Sequence, residues 1–264
     1  MTAHAEAVES KNQLIEVWTR LVEDRGGRVS TQDDVCRLWA DSTFGFWNTV
    51  TLTGERITAG ELGDQLARAA AFMRAQAQPG FLWLFEDLID PPARDGLAGR
   101  LAAAGLEVAF TGHGMAGDLT VPEPRHAELE FRRVRTEQEL LDYGTVNARA
   151  YGMGDDAARD ALTGSKLWAG EAYAYLGYRD GVPVTAAATV AGPGALFLAL
   201  VATLPGEERR GYGEAVTRKA IHEGIAATGT GHVVLHATPA GRPVYERLGC
   251  RANTPIHFVQ LAAA

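Results

Sequence analysis

Between Val201 and Gly213 the chain reads Val-Ala-Thr-Leu-Pro-Gly-Glu-Glu-Arg-Arg-Gly-Tyr-Gly. An apolar run, Ala195-Leu196-Phe197-Leu198-Ala199-Leu200, precedes it, and a helical pattern opening Glu214-Ala215-Val216 follows. This predicts a strand that empties through a glycine turn into a helix N-terminus. The first amides of a helix have no intrahelical acceptor, and the helix dipole adds partial positive charge there. Arg209 and Arg210 add two full charges. Gly211 and Gly213 let oxygen atoms approach the backbone without a Cβ clash. Together they make an anion site suited to a pyrophosphate. A Gly-x-Gly turn is also an ordinary way to begin a helix, so its context has to decide. The third glycine of a dinucleotide fingerprint is missing, with Val216 in its place, and the Gly-Lys-Ser/Thr of a Walker loop is absent.

A second segment lies further on. His232-Val233-Val234-Leu235 is β-rich, and after Thr238-Pro239-Ala240-Gly241 comes Arg242-Pro243-Val244-Tyr245-Glu246-Arg247-Leu248-Gly249-Cys250. Pro243 suits a first helical turn and Gly249 a left-handed stop just past the end. Val244 and Leu248 share one helix face.

In this order and spacing the two segments resemble the signatures of the GCN5-related N-acetyltransferases (GNATs). Glu208-Arg209-Arg210-Gly211-Tyr212-Gly213 matches the family's Gln/Arg-x-x-Gly-x-Gly/Ala, with Glu208 departing from the usual Gln or Arg. Val244 to Cys250 resembles its Leu-Tyr-Glu-Lys-Leu-Gly-Phe segment. The resemblance covers residues 128–264. It implies acetyl-CoA, or another acyl-CoA, as donor. The pantetheine arm would pair with the backbone of Val201, Ala202 and Thr203. The pyrophosphate would sit on the amides of Arg209, Arg210, Gly211, Tyr212, Gly213 and Glu214. Arg242 either reaches a CoA phosphate or covers the surface.

Acyl transfer needs a polarised thioester, a neutral amine and a proton for the departing thiolate. Tyr245 matches the family's general acid, since an ordinary phenol stays protonated at neutral pH; the other reading is a packed core tyrosine. No base is evident, because 182–190 and 195–203 carry neither carboxylate nor histidine. His236 is the candidate, although it also fits a structural histidine. Glu171, Asp155, the first half of the chain or a water chain are alternatives. Tyr151, Trp168 and Tyr173 are expected on the acceptor side, because the family's first helices line it. Trp39, Phe44, Phe46 and Trp47 either roof an acceptor pocket or fill a core. Cys250 ends a helix and Cys36 lies in the other half, so transfer is expected to be direct, without a cysteine nucleophile.

These residues need elements to hold them. The 264 residues, 46% hydrophobic and 22% charged, describe an ordinary globular chain able to form one large core or two smaller ones. A net charge of -8 argues against a nucleic-acid partner. No apolar run approaches a membrane span, no signal pattern opens the chain, and the two cysteines suggest neither a disulfide framework nor a metal site. The expectation is a cytoplasmic protein, monomer or homodimer, acting on a small amine or amino-acid-like metabolite. A non-catalytic acyl-CoA sensor is the rival, as are a hydroxyl acceptor or a different acyl donor. Ala186, Ala187, Ala188 and Ala199 leave room for the last.

Val121-Pro122-Glu123-Pro124-Arg125-His126 reads as a linker, giving domains 1–120 and 128–264 with 121–127 between them. After the linker, the pattern predicts a strand at 129–134, helices at 137–151 and 155–168, and strands at 172–178, 182–190 and 195–203. Asp180-Gly181 and Gly192-Pro193-Gly194 supply the turns, and Asp155 or Asp156 would cap the second helix. A helix, strand, helix and last strand at 256–261 complete the order. Before the linker, helices are expected at 14–22, 57–76 and 93–104, and strands at 81–85, 106–111 and 115–120. The strand–helix–glycine–strand ending recurs in both halves. The expected fold is α/β (α+β): tandem GNAT-like domains with a mixed, mostly antiparallel central sheet flanked by helices. The first domain is a degenerate copy or an accessory α/β domain. It has no Gly-x-Gly turn and is not expected to bind CoA.

Overall fold

The computed structural model describes residues 2–263, the side chain of Ala169 excepted. Its first elements are α1 (Ala3–Asp24), β1 (Arg28–Gln32), β2 (Val35–Trp39), β3 (Asn48–Leu52), α2 (Ala59–Arg74) and β4 (Phe81–Phe85). There follow α3 (Pro91–Arg94), α4 (Leu97–Ala104), β5 (Leu106–Asp118), β6 (Glu130–Arg133), α5 (Glu137–Ala150) and α6 (Asp155–Asp160). The chain ends with β7 (Tyr173–Arg179), β8 (Val182–Gly192), β9 (Ala195–Thr203), α7 (Tyr212–Thr228), β10 (His232–Ala237), α8 (Arg242–Leu248) and β11 (Arg251–Leu261). Packing divides it into two compact units. One holds Met1–Gly114, Ala237–Pro239 and Ala252–Ala264; the other holds Met115–His236 and Ala240–Arg251. Residues 121–126 carry no regular structure, yet the division falls earlier, inside β5. The last strand, except Arg251, packs with the first unit rather than the second.

In the first unit the strand order is β1-β2-β3-β4-β11-β5. Pairs β1–β2, β2–β3 and β4–β11 are antiparallel, and β3–β4 is parallel. Leu62, Leu66, Ala69, Ala70 and Met73 recur at helical spacing along α2 and fill a core with Leu82, Leu84, Leu101 and Val259. Three strands here, β1 to β3, are additional to the sequence expectation. Their hairpin turns on Asp33-Asp34, both with positive φ (52° and 60°), as a two-residue primed turn requires. Asp-Asp supplies this without the glycine that marks such turns in a sequence.

In the second unit the order is β10-β9-β8-β7-β6, with the end of β5 beside β10. Pairs β6–β7, β7–β8 and β8–β9 are antiparallel, and β9–β10 is parallel. Asp180 and Gly181 have φ of 51° and 77°, the geometry that selects Asp-Gly in a tight hairpin. Helix α7 lies close on the sheet. A Cβ on Gly224 would come 2.6 Å from Thr189 Oγ1, and the Thr189 hydroxyl donates to the Ala220 carbonyl at 2.9 Å.

Several expected elements differ. The helix at 93–104 is broken at Asp95-Gly96 into α3 and α4, and α3 starts earlier, on Pro91, where its missing N–H costs nothing. The strands at 106–111 and 115–120 are one strand, β5. Its glycines mark close approach rather than a turn: a Cβ would lie 2.6 Å from the Ala237 carbonyl oxygen at Gly112 and 2.5 Å from Asn253 Oδ1 at Gly114. The helix at 155–168 stops at Asp160. Gly164 takes φ +79° and a π-helical turn, Leu167–Glu171, follows. Its N-cap is Gly154, not either aspartate.

Candidate active site

Strand β9 carries the site because its two edges are treated differently. Strand β8 covers one edge along most of its length. On the other, the parallel ladder with β10 is short, consisting of the pairs Val233–Leu196, Val234–Phe197 and Leu235–Leu198. Among the described residues, β9 from Ala199 to Thr203 has no strand on that side.

The strand is also deformed there. Ala186 pairs with Ala202 and Ala188 with Ala199, so Leu200 and Val201 together oppose Ala187. This is a β-bulge, which re-aims backbone groups and recurs beside active sites. Leu200 has φ +52°, unusual for a residue with a side chain. Two phenols from the α5 side reach this bulge. The Tyr143 hydroxyl donates to the Leu200 carbonyl at 3.0 Å, and the Tyr151 hydroxyl to the Val201 carbonyl at 3.4 Å.

Past Thr203 the chain turns into α7. Gly211 is its N-cap, with φ +82° and no side-chain cap. Ala215 is the first residue seen to return to the turn, its amide donating to the Gly211 carbonyl at 2.9 Å. The amides before it face the helix start without intrahelical acceptors. Gly213 meets a different demand: a Cβ there would lie 3.1 Å from Thr203 Oγ1, so helix and strand end approach closely. Glu208 does not obstruct the amides. Its carboxylate accepts from the Gly206 N–H at 2.7 Å and braces the turn. Glu207 pairs with Arg179, and Arg210 Nε lies 3.6 Å from the same carboxylate. The Tyr212 hydroxyl donates to Glu128, and this bond holds the Glu128 carboxyl below the usual carboxylate range. Glu214 is partly buried, which opposes ionisation, but Arg218 and Arg247, each at 2.9 Å, win and lower its pKa.

In the first unit, the turn between β3 and α2 leads into a capping box. The Glu61 carboxylate accepts from the Thr58 N–H at 3.0 Å and its hydroxyl at 2.7 Å, covering the start of α2. Ile57 bridges to Ile89 beyond the ends of β3 and β4. The Lys11 ammonium donates to the Thr53 and Gly54 carbonyls. Burial lowers the Lys11 pKa.

No protein-family model and no curated protein matches the chain. Solved structures do. A GCN5-related N-acetyltransferase from Kribbella flavida covers 100% of this chain and 97% of its own, with TM-score 0.70 and 22% identity. One from Sphaerobacter thermophilus covers 99% and 94%, with TM-score 0.60 and 13% identity. The chain has the GCN5-related N-acetyltransferase fold. A GNAT-like protein from Streptococcus suis gives the same answer, covering 97% and 98% with TM-score 0.56 and 13% identity.

Within this GNAT fold the expected site residues separate into two groups. Val201, Ala202 and Thr203 lie on the open stretch of β9, and Arg209, Arg210, Gly211, Tyr212, Gly213 and Glu214 form the turn and first residues of α7. Tyr245 is buried on α8. Burial raises its pKa strongly, and nearby Tyr151 and Cys250 add to this; Tyr143 feels Tyr151 and Tyr245 in turn. Three phenols therefore share one neighbourhood. His236 is half-buried on β10, its ring edge-on to Phe197 at 5.2 Å. Arg242 is turned along its own helix, Nε 2.7 Å from Glu246. Tyr173 packs in the cluster that includes Val201 and Val216.

The other group is buried. Trp168 is 0% exposed. Trp39, Phe44 and Trp47 are 3%, 0% and 0% exposed and fill the first unit's core. The Phe44 and Trp47 rings meet tilted with centroids 5.1 Å apart, and Trp18 meets Trp47 edge-on at 5.2 Å. Asn48 clamps the adjoining loop, accepting from the Ser42 N–H and donating to the Ser42 and Pro79 carbonyls. Sequence reasoning missed Tyr143 and the bulge at Leu200. Tyr143 and Tyr151 stand eight residues apart, on one face of a helix, a spacing legible before the structure was known.

Proposed function

We propose that the protein is an acyl-CoA N-acyltransferase, with acetyl-CoA as donor and a small amine as acceptor. The observation that carries this is the opening of β9 past Leu198 directly before the uncapped, glycine-led start of α7. The open backbone of Val201 to Thr203 offers a thioester arm strand-like hydrogen bonds. The α7 amides, the dipole and Arg209 and Arg210 offer a pyrophosphate its partners. The first unit, where Glu61 covers the start of α2, is read as a degenerate copy that binds no donor.

In the reaction the amine nitrogen attacks the thioester carbonyl carbon, the C–S bond breaks and an amide forms. Tyr245 then supplies a proton to the sulfur. A phenol raised this far is protonated at any physiological pH but gives up its proton reluctantly. Burial also pushes the neighbouring Cys250 thiol up to about 11, so it carries no thiolate that would compete in the reaction. The proton lost by the amine passes to His236 or to water.

The test is thiol release from acetyl-CoA across a panel of primary amines, with product mass confirmed. Acylated amine with stoichiometric free CoA supports the proposal. Tight acetyl-CoA binding without turnover of any amine would replace it with a binding protein.

A further inference from the structure

Tyr143 is fully buried, and its hydroxyl spends its one donor on the carbonyl of a residue with positive φ. Asn147, one turn on, is also fully buried and donates back to the Tyr143 carbonyl at 3.2 Å. Tyr151, a turn further, reaches the next carbonyl of the same bulge. Tyr143, Asn147 and Tyr151 thus form a polar stripe at i, i+4 and i+8 along the α5 side. Its first two members are fully buried, and burying polar groups is costly unless their bonds do something a packed apolar face would not.

We infer that Tyr143 is a positioning residue: by holding the Leu200 carbonyl it fixes the left-handed bulge that turns a β9 backbone N–H toward the thioester oxygen. This rests on the acyltransferase reading above. In a bulge two residues oppose one, so one of them leaves the ladder and its N–H is not consumed by β8. A preorganised N–H at that point binds a carbonyl oxygen, and binds it harder as charge develops. Leu200 has no intrinsic reason to keep φ +52°, so something must hold it, and the Tyr143 hydroxyl is the bond that reaches it.

The experiment needs no acceptor. Titration calorimetry measures acetyl-CoA and CoA against wild type, Tyr143→Phe, and Tyr143→Phe combined with Leu200→Gly. Wild type is expected to prefer acetyl-CoA several-fold. Tyr143→Phe should lose most of that preference while CoA affinity changes less than about twofold, the effect of one hydrogen bond confined to the acetyl group. Glycine adopts positive φ without strain, and Leu200 is only partly buried, so Leu200→Gly should restore at least part of the preference. Equal weakening toward both ligands, or an unchanged preference, overturns the inference and leaves the donor site standing. A wild type that binds acetyl-CoA and CoA equally overturns it too. Failure to bind either sinks the acyltransferase reading and this inference together. If Tyr143→Phe does not fold, Leu200→Val carries the test, because a β-branched residue resists positive φ at the same place; it should show the same selective loss, and an intact preference would overturn the inference.

Discussion

Tyr245 illustrates how one residue type gains a role from its surroundings. Exposed, it would be an ordinary phenol; buried on α8 near two other phenols, it has a raised pKa and is protonated at neutral pH. If it delivers the proton to the departing sulfur, Tyr245→Phe should lower kcat by roughly a hundredfold or more and leave acetyl-CoA affinity nearly unchanged. Steady-state rates and titration on the same preparation check this, and an unchanged kcat would remove Tyr245 from the chemistry. Tyr151 is the comparison. Burial of its hydroxyl pushes it up to about 12, although the residue as a whole is 37% exposed. Both residues were legible in the sequence as site candidates. The tryptophans were not separable in this way, because aromatics have the same composition whether they fill a core or face a ligand, and only burial distinguishes the two.

Helix α7 shows what an element adds to its residues. Gly211 takes φ +82° at its start, so Gly211→Ala should cost about 1–2 kcal/mol of stability, measurable by urea denaturation, even without ligand. Glu214 ties the same helix to α8 through Arg247 and to its own next turn through Arg218. Folding lowers its pKa, so this contribution is complete above the ordinary glutamate range and is lost as pH falls through the lowered value. The stability difference between wild type and Glu214→Gln should therefore shrink between neutral pH and about pH 3; a constant difference would mean that the pairs add nothing. The α7 turn and the 242–249 helix were legible because glycine and proline punctuate both. The shortened helix at 155 and the continuous β5 were not. Gly164 takes positive φ in the turn that follows the helix, whereas Gly112 and Gly114 only make room inside a strand, and a sequence writes both the same way.

Across the whole molecule, each half of the chain runs through three antiparallel strands, a helix, a parallel strand, one helix or a broken pair, and a last strand. The repeat of the ending was legible at Gly105 and Gly249, both left-handed helix stops. The opening strands of the first unit were not, because β1 is mostly polar and turns on Asp-Asp. Nor was the placement of β11 beside β4, since strand order is a tertiary choice that pattern alone does not encode. The two strand-to-helix turns differ in chemistry: the one before α2 has Glu61 in a capping box and a bridge at Ile57, and the one before α7 has no side-chain cap at Gly211. On the proposed function, only the turn before α7 binds an acyl-CoA. Titration calorimetry of the full chain with acetyl-CoA, beside Gly211→Asp, tests it most directly. The expected result is one site per chain, with affinity lowered at least about tenfold in the variant, where a carboxylate and a strained φ meet the phosphates. No binding by the wild type, or binding that Gly211→Asp leaves intact, would contradict it.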